Sequence, residues 1–324
     1  MNTSVPRAKS SERERMSGLP MTEPPLDLAI EVSGLTKSYG DTLAVDDVHF
    51  SVRRGEIFGI IGPNGAGKTT TVECIQGLRR PTGGHIRLLG VDVAEHPEQL
   101  KHRIGSQLQE SALPDRMKVW EALDLFSSLA PGGLDWREVM EKWGLTDKAK
   151  SSFASLSGGQ RQRLFIALAL VNDPEVVFLD ELTHGLDPIA RRVAWELVRT
   201  VRDRGATVVL VTHDMDEAEQ LCDRVAVIAG GRLIALGTPR EIAAGAAAGT
   251  RVRFSSAEDV SWLAGVPDVV SVTRTGDDVE VTGHAAVLAR TAAALVARDI
   301  VPTDLRAQPP SLDDVFLELT GRRS

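Results

Sequence analysis

The run Gly62-Pro63-Asn64-Gly65-Ala66-Gly67-Lys68-Thr69-Thr70 has the spacing of a phosphate-binding loop, a motif that works only between a strand and a helix. Both flanks are present: residues 56–61 read as a short buried strand, and residues 70–75 have helix-compatible spacing. Gly62, Gly65 and Gly67 let successive backbone N–H groups turn toward one anion, and the new helix presents its partially positive end to the same point. Lys68 is placed to neutralise β/γ-phosphate charge, and the Thr69 hydroxyl is placed to ligate Mg²⁺. A glycine-rich turn could meet the pattern by chance, but the strand and helix around it favour a nucleotide site in an α/β fold.

The 324 residues suffice for one sizeable core and a smaller second domain. The net charge of −8 argues against a broad basic face, so nucleic acid is not an expected partner. Cys74 and Cys222 have no CxxC or Cys/His spacing, which predicts two buried thiols, no structural zinc and a reducing compartment. No apolar run approaches the roughly 20 residues that cross a bilayer, and no signal-peptide pattern is present, so a cytosolic chain is expected.

Residues 1–26 are rich in Ser, Pro and mixed charge and read as a disordered tail. Residues 27–249 alternate short β-branched runs with helix-like segments, which predicts a mainly parallel α/β core. Its candidate strands are 57–61, 176–179, 207–211 and 225–228, followed by a hairpin turn at Ala229-Gly230-Gly231-Arg232. Between about 99 and 155 the strand signal fades and Trp120, Leu123, Phe126, Trp136, Met140 and Trp143 recur at helical spacing, so an inserted helical subdomain is expected there. Residues 246–250 read as a linker, and 250–324 as a small α+β domain. That domain should contain a hairpin at Thr275-Gly276-Asp277-Asp278, an Ala-rich helix at about 285–297, a strand around Ile300-Val301 and Leu305, and a last helix opening at Ser311.

Two further motifs carry chemistry. The apolar strand Val176-Val177-Phe178-Leu179 delivers Asp180 and Glu181 at its carboxyl end, where open α/β sheets bind ligands. Asp180 suits a magnesium ligand, and Glu181, one residue on, suits the polarisation of an attacking water. Leu156-Ser157-Gly158-Gly159-Gln160 then opens an apolar helix and forms a second anion site. One nucleotide cannot easily occupy two separated phosphate sites in a monomer, so a dimer is expected in which this loop caps the ATP of the partner.

These three motifs, in this order, resemble the nucleotide-binding subunits of ABC transporters over residues 28 to about 245. The resemblance implies a P-loop NTPase core with an inserted helical subdomain, ATP and Mg²⁺ as ligands, and ATP hydrolysis coupled to transport. It also implies roles residue by residue. Tyr39 would stack on adenine, and Ala44 would add a small apolar contact. Asn64, Ala66 and Thr70 complete the phosphate loop, and Ser157, Gly158, Gly159 and Gln160 form the signature that closes on the partner's ATP. Gln109 would reach the metal and the water, with Gln107 a nearby competitor. Asp187 would communicate across the dimer, and His213 would contact the γ-phosphate. Leu182 departs from the pattern, standing where many relatives carry proline.

Residues 310–322 resemble the tail of the daunorubicin-resistance-type drug-exporter ATPases. This implies an export subunit at the cytoplasmic side of the membrane, dimeric across two ATP and working with a separate multi-span permease that carries the drug or antibiotic. A different reading is a soluble ABC-type ATPase of translation or DNA repair. The single ATPase unit without a long heptad insertion argues against it.

Overall fold

The computed structural model describes residues 27–107, 112–129, 132–183, 186–244, 249–284, 286–308 and 310–320, the last four without their side chains. The predicted tail, linker residues 246–248 and Gln109 lie outside the described residues.

The described chain opens with a long hairpin of β1 (Leu28–Tyr39) and β2 (Thr42–Arg53), closed at the Tyr39–Thr42 pair over Gly40. Next come β3 (Ile57–Ile61), α1 (Lys68–Ile75), β4 (Gly83–Leu88) and β5 (Val91–Asp92). An antiparallel sheet of order β2-β1-β4-β5 results. The expectation of a mainly parallel core misses this sheet. The reason lies in burial: β1 and β2 mix exposed and buried positions, as a sheet with one open face does.

The second sheet assembles from β6 (Ile104–Gln107), β7 (Val176–Asp180), β8 (Thr207–Thr212), β9 (Arg224–Ala229) and β10 (Arg232–Gly237), with β3 among them. Its order is β10-β9-β3-β8-β7-β6, and only β10 runs antiparallel, through the expected hairpin. The helices of this part are α2 (Val119–Ser128), α3 (Trp136–Lys142), α4 (Gly158–Leu170), α5 (Pro188–Asp203), α6 (Met215–Leu221) and α7 (Pro239–Ala244). Within the stretch 99–155, read as helical, β6 is instead an edge strand beside β7. Its four residues are too few for periodicity to reveal.

Every residue of β3, β7 and β8 is buried, and alternate side chains enter different cores. Ile57, Val177, Leu179, Val208 and Leu210 pack with α2 to α6, where Val119, Leu123, Val139 and Trp143 anchor the helical insertion. Phe58, Ile60, Phe178, Val209 and Val211 pack with α1 and the antiparallel sheet, where Phe50 stacks on Phe58 at 5.4 Å between ring centres. Cys74 and Cys222 are both buried and unpaired.

The remaining elements are β11 (Thr250–Ser255), β12 (Val269–Thr275), β13 (Asp278–Gly283), α8 (Val287–Val296), β14 (Arg306–Gln308) and α9 (Leu312–Thr320). The strands form an antiparallel sheet of order β12-β13-β11-β14 over a separate small core of Val252, Phe254, Val279, Val281, Val287 and Leu295. The Thr275–Asp278 hairpin forms as expected. Ile300 and Val301 are not in a strand; the strand follows at Arg306–Gln308, and Ile300 packs against the small core. Helix α9 leaves this unit. Leu312 and Val315 lie in the core shared with α6 and α7, the Leu312 N–H donates to Glu219 Oε1 at 2.6 Å, and Asp314 pairs with Arg251 of β11.

Candidate active site

The glycine-rich loop joins β3 to α1 as expected, and Gly67 serves as the N-cap of α1 in the left-handed region at φ 98°. A side chain there would overlap the carbonyl oxygen of Ala44, so the loop lies directly against β2. Gly62 is equally confined, by the Ile228 carbonyl at the end of β9. The hairpin turn after β9 closes the same wall: Gly231 N–H donates to Ala66 O at 3.0 Å, and Asp46 N–H to Gly231 O at 2.8 Å. Gly67→Ala combines an overlap with a disfavoured φ, so it should lower unfolding stability by about 2–4 kcal/mol. Urea denaturation of the variant checks this.

Lys68 is buried, and its ammonium donates to the carbonyls of Gly62 at 2.8 Å and Pro63 at 3.0 Å. Burial lowers its pKa, opposed by the charges of Glu181 and Asp180. Thr69 is exposed at the first turn of α1, and the Thr71 hydroxyl bonds Gly67 O at 2.9 Å. Asn64 and Gly65 are exposed, Pro63 and Thr70 half-buried, and Ala66 is buried in the core under α1.

Asp180 ends β7 in the buried interior. Burial pushes its carboxyl up to about 6; Glu181 adds to the shift and Lys68 opposes it. The chain then turns at Glu181, a left-handed residue at φ 49° whose N–H donates to Val211 O at 2.8 Å. A non-glycine residue held there carries local strain. The turn brings the Glu181 carboxylate to His213 Nδ1 at 3.1 Å, across the ends of the adjacent strands β7 and β8. Leu182 is fully buried and packs into the core with α4 and α5. Lys68, Asp180, Glu181 and His213 are thus gathered at the carboxyl edge of three neighbouring strands. A carboxylate beside an imidazole, facing a buried ammonium, can accept a proton from water next to a bound phosphate.

Tyr39 stands at the end of β1, partly exposed, with Lys37 Nζ 5.1 Å and the Arg79 guanidinium 5.6 Å from its ring centre. Two cations beside this ring make a shelf suited to an electron-rich base and its phosphates. Arg79 gave no motif signal; it becomes visible only where the chain after α1 returns to β1.

The signature is placed elsewhere. Ser157 caps α4 in a capping box, accepting from Gln160 N–H at 3.4 Å while Gln160 Oε1 accepts from Ser157 N–H at 3.0 Å. Asp187 caps α5, accepting from Ile189 and Ala190 N–H, each at 2.9 Å. Ser157, Gly158, Gly159, Gln160 and Asp187 line one groove of about 600 Å³, which includes none of the glycine-rich loop, Asp180, Glu181 or His213.

A family profile described as ABC transporter covers residues 45–184. The Nod factor export ATP-binding protein I of Cupriavidus pinatubonensis is 37% identical over 307 residues, 92% of this chain and 93% of that protein. The daunorubicin resistance ATP-binding protein DrrA3 of Streptomyces coeruleorubidus is 38% identical over 308 residues, 91% of this chain and 96% of that protein. Among solved structures, an ATP-binding subunit of an ABC transporter superposes with TM-score 0.61 at 30% identity, over 66% of this chain and 91% of that one. A dimeric ATP-binding cassette in a post-hydrolysis state with ADP and Pi superposes with TM-score 0.60 at 26% identity, over 64% of this chain and 98% of that one. The glycine-rich loop, the Asp180-Glu181 strand end and the separate signature groove sit in a chain that belongs to the ATP-hydrolysing, ATP-binding subunits of ABC transporters.

Proposed function

We propose that two copies of this chain bind two MgATP at their interface and power drug or antibiotic efflux through a separate multi-span membrane subunit. The observation that carries the reading is the separation of the two anion sites. Lys68, Glu181 and His213 lie at one edge, while Ser157 and Asp187 line a different groove, flanked by Ile189 at 78% exposure and by Val193. One nucleotide meets both sites when a second copy supplies the groove, and the exposed apolar residues of α5 are then covered. Each ATP in this reading lies against the glycine-rich loop and Lys68, with its adenine at Tyr39 and Ala44.

The donor set fits a divalent cation. Asp180 is a buried carboxylate next to a second one, and the Lys68 ammonium is already held by two carbonyls. Asp180 and the Thr69 hydroxyl would hold the ion, with Gln109 near it. When bound, Mg²⁺ neutralises charge on the β- and γ-phosphates. Glu181 accepts the proton of the attacking water, His213 orients that carboxylate and meets the γ-phosphate, and Lys68 stabilises charge on the transferring group.

No helix among the described residues is long and apolar enough to cross a membrane. The transport path in this reading belongs to another polypeptide, and the chain sits peripherally at the cytoplasmic face. The relatives named for Nod factor export and daunorubicin resistance support export over a soluble role in translation or repair. The test is purification of the tagged chain from detergent-solubilised native membranes. A co-purifying multi-span protein with stimulated ATPase activity is expected; recovery with ribosomes or DNA instead would overturn the export reading.

A further inference from the structure

Behind the Glu181–His213 pair lies a carboxylate that the reaction does not consume. Glu217 is the third residue of α6 and follows Asp214 at the spacing of a capping box, in which its side chain would reach back to the Asp214 N–H at the surface. Only half of that box forms. The Asp214 carboxylate accepts from Glu217 N–H at 3.0 Å, but the Asp214 N–H is taken by Thr212 Oγ1, also at 3.0 Å. The Glu217 side chain turns inward and is 1% exposed.

There Trp195 Nε1 donates to it at 3.3 Å, and the buried hydroxyls of Thr183 and Thr212 stand near enough to favour its ionised form. Each comes from a different part of the site. Thr183 is two residues beyond Glu181, Thr212 immediately precedes His213, and Trp195 lies on α5, the helix that Asp187 caps. Burial holds the Glu217 carboxyl above its ordinary range, with Thr212, Thr183 and Trp195 opposing that rise and the Asp214 charge adding to it. A carboxylate buried to this degree is costly, and a methionine would fill similar space without that cost. What methionine lacks is the acceptor that joins three segments.

We propose that Glu217 is a positioning residue for ATP hydrolysis, a buried acceptor that fixes the loops after β7 and β8 so that Glu181 and His213 keep their mutual orientation. It acts through Thr183 and Thr212 and touches neither nucleotide nor water. The inference rests on the assignment of Glu181 and His213 to the hydrolytic step. Small misplacements of a reacting group cost rate far more than binding, so the expected signature is a split between kcat and KM.

In the full-length chain, Glu217→Gln keeps the shape and removes one acceptor oxygen. Steady-state ATPase assays should show kcat lowered about 10-fold, with KM for ATP within about two-fold of the unaltered chain. Thr183→Val should lower kcat similarly, and the double variant should be no worse than the poorer single one, since both changes act through the same buried carboxylate. A kcat within two-fold of normal in Glu217→Gln, or additive losses in the double variant, would overturn the proposal. If Glu217→Gln does not fold, Thr183→Val alone decides by the same split. Glu181→Gln run alongside separates the two levels: if it turns over normally, the underlying assignment fails, whereas a dead Glu181→Gln beside a fully active Glu217→Gln removes Glu217 alone.

Discussion

Glu181→Gln is expected to bind ATP as tightly as the unaltered chain while hydrolysing it at least about 100-fold more slowly, the usual range for loss of a general base. Glutamine keeps the size of the side chain and its bond to His213 Nδ1, now at 3.1 Å, with either imidazole tautomer. The backbone turn at φ 49°, tied to Val211 O, needs nothing from the carboxylate. Only the capacity to take a proton is lost. If the chain closes as a dimer on ATP, the variant should also accumulate that dimer, because the step that loosens it is blocked. Equilibrium nucleotide binding, single-turnover hydrolysis and light scattering with and without ATP measure all three. Normal turnover would remove Glu181 from the hydrolytic role.

Lys68→Ala acts one step earlier. The ammonium bridges the carbonyls of Gly62 and Pro63, so it holds the loop in shape as well as carrying charge. Its removal subtracts charge-assisted bonds to phosphate of about 1.5–3 kcal/mol, or roughly 10- to 150-fold in Kd. The loss should appear with ATP and ADP alike. It should be accompanied by only a modest loss of melting temperature, since relief of the ammonium's burial offsets part of the loss of its two carbonyl bonds. Fluorescent-nucleotide titration checks the affinity, and an unchanged Kd would sink the phosphate-loop assignment. The two variants therefore separate binding from chemistry within one cluster.

The parts of the site legible in sequence are those whose chemistry demands contiguous residues. A phosphate loop, a strand ending in Asp180-Glu181 and a signature at a helix start each announce themselves within a few positions. His213 and Tyr39 have no such local mark and were readable only through family resemblance. Glu217 misleads outright, because Asp-x-x-Glu before a helix ordinarily signals a surface cap, and only the position of Thr212 shows why its side chain goes inward. In the fold, the long runs of β3, β7 and β8 were plain, being buried at every residue. The four residues of β6 were not, nor was the antiparallel pairing of β1 with β4, because short strands and sheet partners are set by contacts distant in sequence.

Helix α9 bears on how the molecule is made. Leu312 and Val315 enter a core whose other buried members all precede position 244. A ribosome delivers those earlier residues first, so the nascent ATPase unit waits with an apolar recess at α6 and α7 while the strands of the small sheet are still being synthesised. Glu219 likewise waits for the Leu312 N–H. Closure of that recess is a late contact spanning a long stretch of chain, the kind that forms slowly and leaves apolar surface open in the interval. Completion of the small sheet, whose β11 holds Asp314 through Arg251, brings the helix to its seat. The last buried residues of the ATPase core are thereby supplied by the segment that is synthesised after it.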